Sequence, residues 1–196
     1  MFYDAVANDH GLPQDPFKAL VAPRPIGWIS SLSADGIPNL APFSYFNAMA
    51  QAPHYVAFGI GPPKDTLRNV EVTGEFAVNL ATYDLREAMN ATSAHVAAHV
   101  DEFELVGLTP VTGDLVRAPM VAEAPASMEC RATRFVPVGT APRGSVVVFG
   151  EVIRFHLRPG LVDGTRVDLD VLAPVGRLSG PGYTRTRDRF SMVRPD

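Results

Sequence analysis

Apolar residues in this chain recur mainly at alternate positions or in short β-branched runs, a pattern that predicts strands rather than long helices. Residues 23–47 contain two such runs on either side of Ala34-Asp35-Gly36, and Asp-Gly between apolar runs is typical of a tight hairpin. The same pattern predicts further strands at residues 54–60, 75–81, 127–138 and 146–157.

Helical periodicity is confined to the middle of the chain. A short helix is predicted at residues 64–73, a longer helix at 84–100 and one further turn at 101–108. Residues 1–22 form a leader whose prolines exclude a long helix, and residues 158–196 form a loop-rich C-terminal segment. Many strands with few helices predict a mostly β protein, an antiparallel barrel with helices packed outside it.

The composition is that of a single globular domain spanning residues 1–196. Hydrophobic residues make up 46% of the chain, but charged residues only 19%, which favours a homo-oligomer that hides apolar surface. The net charge of −4 argues against nucleic acid as the main partner. A single cysteine, no secretory signal and no apolar run of membrane-spanning length lead us to expect a cytoplasmic protein without a membrane partner.

Polar residues interrupt the aromatic residues of the hairpin's second strand. In residues 41–47, strand alternation places Phe43, Tyr45 and Asn47 on one face, while Pro42 cannot donate to a sheet ladder and marks an edge or a bulge. Such a strand suits a surface that stacks a flat ring and hydrogen-bonds its edge. The alternative is a core strand in which the backbone satisfies Asn47.

The hairpin PRPIGWISSLSADGIPNLAPFSYFN resembles the signature of the flavin reductase-like, FMN-binding split-barrel family. Later segments resemble the family's in the expected order: Lys64-Asp65-Thr66 with Asn69, then residues 74–80, 128–131, 149–152 and 176–178. The similarity runs from about Pro23 to Tyr183. It implies a split barrel that binds FMN, with FAD as a possible cofactor, near the interface of a homodimer.

The resemblance implies a site for the flavin phosphate and ribityl chain where the first predicted helix begins. Lys64 adds a positive charge, Asp65 or Thr66 could cap the helix, and the first N–H groups of the helix would face the anion. Ser30 and Ser31, at the end of the first hairpin strand, could meet the phosphate or the ribityl hydroxyls. A lysine beside an ordinary helix cap is the alternative.

The resemblance also implies that the second hairpin strand lines the flavin ring. Phe43 would contact a face of the ring, and Ser44 and Asn47 would hydrogen-bond its pyrimidine edge, where each unmade bond costs about 1–3 kcal/mol. Trp28 either contacts the flavin or packs in the core, and the sequence does not decide between these two interpretations.

Three other side chains have both a functional and an ordinary interpretation. Arg24 is a further candidate for binding the cofactor, although an arginine at a strand entrance is often solvated. His95 and His99 are four residues apart on a predicted helix, a spacing able to bind zinc. No third ligand is evident, so surface histidines are favoured and no metal site is predicted.

The sequence defines the electron donor least well. Many family members place a histidine just before the strand that corresponds to residues 146–152, but here Gly144 and Ser145 occupy that place, and His156 lies at the strand's far end. This departure weakens the case for NADH or NADPH as the electron donor. The chain resembles more closely the flavoredoxin-like branch of the family. Some C-terminal arginines could bind a dinucleotide phosphate or a partner subunit, or be solvated: Arg177, Arg185, Arg187 and Arg189.

Together, the residues and the resemblance predict an FMN-binding oxidoreductase in which the cofactor supplies most of the chemistry and no catalytic side chain is identified. Electrons would pass from NADH, NADPH or another donor to free flavin, oxygen or a partner such as a monooxygenase. The alternatives are a flavin carrier or sensor without turnover, and a barrel that binds another aromatic or heme-like ligand.

Overall fold

The computed structural model describes residues 2–140 and 142–195. In the first half of the chain the elements are α1 (Phe17–Leu20), β1 (Arg24–Pro25), β2 (Gly27–Leu32), β3 (Pro38–Phe43), β4 (Phe46–Gln51), β5 (His54–Ile60), α2 (Asp65–Thr73), β6 (Glu75–Leu80) and α3 (Arg86–Ala91). In the second half they are α4 (Glu102–Val106), β7 (Pro110–Val111), β8 (Met120–Val121), β9 (Ala126–Val138), β10 (Ser145–Leu157), β11 (Val162–Asp163), β12 (Arg166–Val167), α5 (Leu169–Leu172), β13 (Val175–Arg177) and β14 (Tyr183–Arg185).

Antiparallel pairing within the described residues builds one main sheet with the order β3-β2-β6-β9-β10-β5-β4. Strands β3 and β4 lie at opposite edges of this sheet, yet only Ser44 and Tyr45 separate them in the chain. Three Cα–Cα steps span at most about 11 Å, so the sheet has to curl until its edges approach each other. The result is the antiparallel barrel that the sequence pattern predicted, and it agrees with the split barrel that the family resemblance implied.

The predicted hairpin is confirmed as β2 and β3, which pair from Gly27 opposite Phe43 to Leu32 opposite Pro38. Gly36 adopts a φ of 84°, a backbone conformation that residues with a side chain rarely adopt. The strands predicted at residues 54–60, 75–81, 127–138 and 146–157 are also confirmed within one residue at each end.

Both faces of the central strands are buried. Ile29 of β2 belongs to an apolar cluster inside the barrel that contains Phe58 and Phe76, whose ring centroids are 5.3 Å apart. Trp28 points the other way, into a second cluster under the helices. Gly150 of β10 lets the barrel close around Phe76, since a Cβ at this glycine would lie 2.2 Å from the ring.

Three local predictions are wrong. The strand predicted at residues 41–47 breaks at Ser44–Tyr45, because the chain there crosses from one sheet edge to the other. The helix predicted at residues 84–100 is only α3, because the Thr92 and Ser93 hydroxyls donate to the backbone of Met89 and Asn90 as the helix ends. The segment predicted to be loop with at most a short strand contains β11, β12, α5 and β13.

The helices are short, which affects both the possible zinc pair and the search for a membrane-spanning helix. His95 and His99 lie in the irregular segment after α3, so the helical spacing that made zinc an alternative is lost. Across residues 2–140 and 142–195, no helix has the length and apolar character needed to cross a membrane.

Candidate functional site

Two adjoining clefts open where the hairpin, α2 and the segment after α3 meet. The small cleft, about 810 Å³, is lined by the start of α2 and by residues 92–96. The large cleft, about 1380 Å³, is lined by residues 44–47, the end of α3 and parts of β1 and β13. Pro42, Gly61 and Ser93 line both clefts, which therefore form one continuous depression.

The start of α2 presents unoccupied backbone donors to the small cleft. Lys64 precedes the helix in an extended conformation, with a φ of −144°, and no side chain caps the helix. The prediction that Asp65 or Thr66 caps it is wrong, since the Asp65 carboxylate pairs with Arg68 at 2.7 Å and the Thr66 hydroxyl donates elsewhere. The first-turn N–H groups and the positive end of the helix dipole remain available to an anion.

A histidine joins the lysine at this helix end. Lys64 Nζ lies 2.8 Å from His95 Nδ1, and both side chains are exposed in the small cleft. In the sequence, His95 stands out only as half of a possible zinc pair with His99, and His99 lines neither cleft. Nothing in the local sequence marks His95 as a neighbour of Lys64, because the two residues meet only through the fold.

Thr66 belongs to a buried hydrogen-bond network behind the small cleft. Its hydroxyl donates to Asn39 Oδ1 at 2.7 Å, and Asn39 Nδ2 donates to Glu102 at 3.0 Å. Glu102 also accepts the N–H of Leu40 at 3.1 Å. Burial raises the pKa of the Glu102 carboxyl, which these hydrogen bonds partly offset. The network fixes α2 on β3, so Asn39 and Glu102 shape a site in which the sequence analysis did not place them.

Three residues that were predicted to contact the ligand are instead buried, and their polar groups are hydrogen-bonded within the protein. The side chains of Trp28, Ser30 and Ser31 belong to fully buried residues that line neither cleft. Trp28 Nε1 donates to Thr92 Oγ1 at 2.9 Å, so of its two interpretations the structure shows core packing. Ser30 donates to the carbonyl of Pro119. Ser31 lies in the network of Asn39, whose Oδ1 it reaches at 3.3 Å.

The residues of the second hairpin strand divide between the clefts. Phe43 lines the small cleft, and its ring packs on Phe58 with centroids 5.3 Å apart. Ser44, Tyr45 and Asn47 line the large cleft. The three residues predicted to share one face therefore do not, because the chain bends between Phe43 and Asn47. Asn47 is exposed, and its Oδ1 accepts the N–H of Ala48 at 2.8 Å.

Arg24 lies in the large cleft, away from the residues that line the small one. Its guanidinium donates to the carbonyls of Lys18, Val21 at 2.7 Å and Leu178 at 2.8 Å. These contacts attach the leader and the C-terminal segment to the body of the protein. The arginine is 6% exposed, so it is not the solvated strand-entrance residue of the alternative interpretation.

Similarity to other proteins agrees with this architecture. Residues 20–170 match the family model described as the flavin reductase like domain. The structure of nitrilotriacetate monooxygenase component B from Bacillus cereus is 30% identical, covers 98% of each chain and superposes with a TM-score of 0.89. The 2-nitrobenzoate 2-nitroreductase NbaA of Pseudomonas fluorescens is 29% identical, with coverages of 100% of this chain and 96% of its own and a TM-score of 0.88.

A third structure bears on the fold alone. A Shewanella frigidimarina NCIMB 400 protein described as a flavin reductase with a split barrel domain is 21% identical, covers all of both chains and gives a TM-score of 0.87. This agreement confirms the split barrel derived from the sheet order. The family model matches more than three quarters of this chain. The chain therefore belongs to the flavin reductase-like family of flavin-dependent oxidoreductases.

Proposed function

We propose that the protein binds FMN across the two clefts, with the phosphate in the small cleft and the ring in the large one. The observation that carries this proposal is the uncapped start of α2, where Lys64 and His95 meet in a cleft continuous with a larger one. A dianionic terminal phosphate fits this end, because N–H groups, the positive end of a helix dipole and the Lys64 ammonium converge there. We therefore favour FMN over FAD, because FMN ends in such a phosphate, whereas in FAD this phosphate is linked to a second nucleotide.

The large cleft has the mixed character that a flavin ring requires. Tyr45, Phe46 and Met49 offer apolar contact, while Ser44 and Asn47 offer hydrogen-bonding groups for a polar ring edge. The residues present thus fit the cofactor, although Trp28, Ser30 and Ser31 are not among those we assign to it.

Bound flavin supplies two-electron redox chemistry, and the chain's own residues bind it, orient it and shape the space over it. We propose NADH or NADPH as donor, and free flavin, oxygen or a partner oxygenase as acceptor. The relative named as a monooxygenase component supports the last of these acceptors. His156 does not serve the site, because its Nε2 lies 2.6 Å from the buried carboxylate of Glu129, and neither residue lines a cleft.

We also propose a homodimer. Exposed apolar side chains extend along the β4 edge and the neighbouring end of β10, where Met49 is 51% exposed and Phe155 49% exposed. An edge strand with apolar exposure is costly for a free monomer. Sedimentation equilibrium tests this part separately from cofactor binding, and a monomer at micromolar concentration would contradict it.

Titration with FMN and with riboflavin, which lacks the phosphate, tests the cofactor assignment. Because a hydrogen bond to a charged group contributes about 1.5–3 kcal/mol, Lys64→Ala should weaken FMN binding about 10- to 100-fold and leave riboflavin binding unchanged. His95→Ala should have a smaller effect in the same direction. His99→Ala is the matched control, since His99 lies in the same segment but outside both clefts, and it should bind FMN like the wild type.

Two results would contradict the proposal. A protein that gains no visible flavin absorption with FMN would refute flavin binding altogether. Unchanged FMN affinity in Lys64→Ala would instead show that the phosphate lies elsewhere. Anaerobic mixing with NADH and NADPH then distinguishes turnover from mere carriage, because rapid bleaching of the flavin is expected of an oxidoreductase and not of a carrier.

A further inference from the structure

Two arginines face each other on the far wall of the large cleft. β1, β13 and β14 form a small antiparallel sheet in which Arg24 is directly opposite Arg177, and Arg177 is directly opposite Tyr183. All three residues line the large cleft. Like charges directly opposite each other destabilise an antiparallel pair, so this arrangement requires a compensating interaction.

Neither guanidinium has a carboxylate partner among the described residues. Arg24 donates only to backbone carbonyls, and its buried Nε has no hydrogen-bond partner within the described chain. Arg177 donates to the carbonyl of Gly180 at 2.5 Å and lies over the Tyr183 ring, 4.4 Å from its centroid. Carbonyls and a ring orient both cations without neutralising them. Arg24 is buried, and burying a charge without a counter-charge is costly, whereas Arg177 is half-buried at the surface of the cleft.

The rest of the lining strengthens the local positive charge. Lys18 and Arg143 also line the large cleft, and Asp15 is the single acidic residue among the described lining residues. A concave surface with this excess of cations, on a chain whose net charge is −4, concentrates anions. Among the described residues no carboxylate compensates the pair, so the structure leaves this role to an external anion.

We propose that Arg24 and Arg177 form the anion-binding part of a second-substrate site in the large cleft. Its ligand is a planar organic molecule bearing a carboxylate or a phosphate, because guanidinium groups bind both oxyanions and the stacked Tyr183 provides an aromatic surface. This inference rests on the proposed function, in which the same cleft holds the flavin ring. It narrows the electron donor or acceptor to an anion.

Calorimetric titration of the FMN-loaded protein with matched pairs of probes tests the inference. Benzoate is compared with neutral benzamide, and reduced nicotinamide mononucleotide with the riboside that lacks its phosphate. We expect the anionic member of at least one pair to bind about 10-fold more tightly than its neutral counterpart. A preference within the first pair indicates a carboxylate-bearing acceptor, and one within the second indicates a phosphate-bearing donor.

Variants of Arg177, the half-buried member of the pair, test whether the preference depends on the arginines. Arg177→Gln should lose the preference while retaining wild-type FMN affinity, and Arg177→Lys should retain part of it. Arg185→Gln is the matched control: Arg185 is on the adjacent strand and also lies over a tyrosine ring, 3.4 Å from the centroid of Tyr83, but outside the large cleft. This control should keep the full preference.

The outcomes separate the inference from the cofactor assignment. Failure to load FMN would refute the proposed function, and the same titrations on the protein as isolated would still test the arginine pair. FMN loading without an anionic preference in either probe pair would overturn the inference alone. A preference that survives in Arg177→Gln would overturn it as well.

Discussion

Replacing Glu129 with glutamine perturbs a buried carboxylate that attaches a long loop to the barrel. Glu129 lies in β9 and is fully buried. It accepts the backbone N–H groups of Asp114 at 3.1 Å, Leu115 at 2.6 Å and Val116 at 2.8 Å, and its Oε1 lies 2.6 Å from His156 Nε2. A glutamine side chain directs an NH₂ group at some of these donors, so it cannot satisfy all of them.

The pKa of Glu129 sets the size of the expected effect. Burial alone would raise this pKa, but the hydrogen bonds from His156 and from the loop N–H groups outweigh burial and lower it from 4.5 to about 2. This lowering corresponds to about 3 kcal/mol in favour of the ionised folded state. The covering loop is thin, with Asp114 and Leu115 exposed, so solvent screening reduces the contribution to about 2 kcal/mol.

The pH dependence follows from the direction of the shift. A folded-state pKa below the unfolded value stabilises the protein above pH 4.5, and this stabilisation is lost as pH falls toward 2. We therefore expect Glu129→Gln to be about 2 kcal/mol less stable than the wild type at neutral pH. More than half of that difference should disappear by about pH 3.

Urea unfolding followed by the fluorescence of Trp28, the sole and fully buried tryptophan, measures this difference at neutral and acid pH. Glu123→Gln is the matched control, because Glu123 accepts one N–H, from Thr109 at 3.1 Å, at a partly exposed position. Its effect should stay within about 0.5 kcal/mol. Equal stabilities of wild type and Glu129→Gln at neutral pH would refute the reasoning. A difference that does not change with pH would show that ionisation contributes nothing.

Two further predictions concern the interior of the barrel. Gly150→Ala should destabilise the protein by about 1–3 kcal/mol in urea, because its Cβ would lie 2.2 Å from the buried Phe76 ring. Gly61→Ala, whose Cβ would approach other atoms only to 3.8 Å, is the control, and equal effects would contradict this reasoning. Burial raises the pKa of the Cys130 thiol, so mass spectrometry should detect alkylation by iodoacetamide in the urea-unfolded protein only. Rapid alkylation of the folded protein would show that the thiol is accessible.

The strands were predictable because their signals are local. Alternation and β-branched runs identify β9 and β10, and the Asp35-Gly36 turn fixes the hairpin register without any long-range contact. The end of α3 was not predictable in this way. It depends on Thr92, which donates to the helix backbone and accepts the Trp28 indole N–H from a strand 64 residues away in the chain.

The site was predicted at the level of segments more than of side chains. Asn47 lines the large cleft and Lys64 the small one, the two clefts across which we propose that FMN binds. Ser30 and Ser31 line neither cleft. Strand alternation identifies the two faces on which they lie but does not say what covers those faces. In β2 both faces are covered, one by the loop at Pro119 and the other by α2, so each hydroxyl has a protein partner.

Trp28 is a core residue, yet it lies close to the proposed site. Its hydrogen bond to Thr92 holds the chain where α3 ends, and the residues that follow form one wall of the small cleft. His95 is three residues further on, 2.8 Å from Lys64. Trp28 lines neither cleft, yet its hydrogen bond holds the residue at which the segment that carries His95 starts. A core residue can therefore support the proposed phosphate end of the site, a role that the pattern of exposed side chains along the hairpin does not reveal.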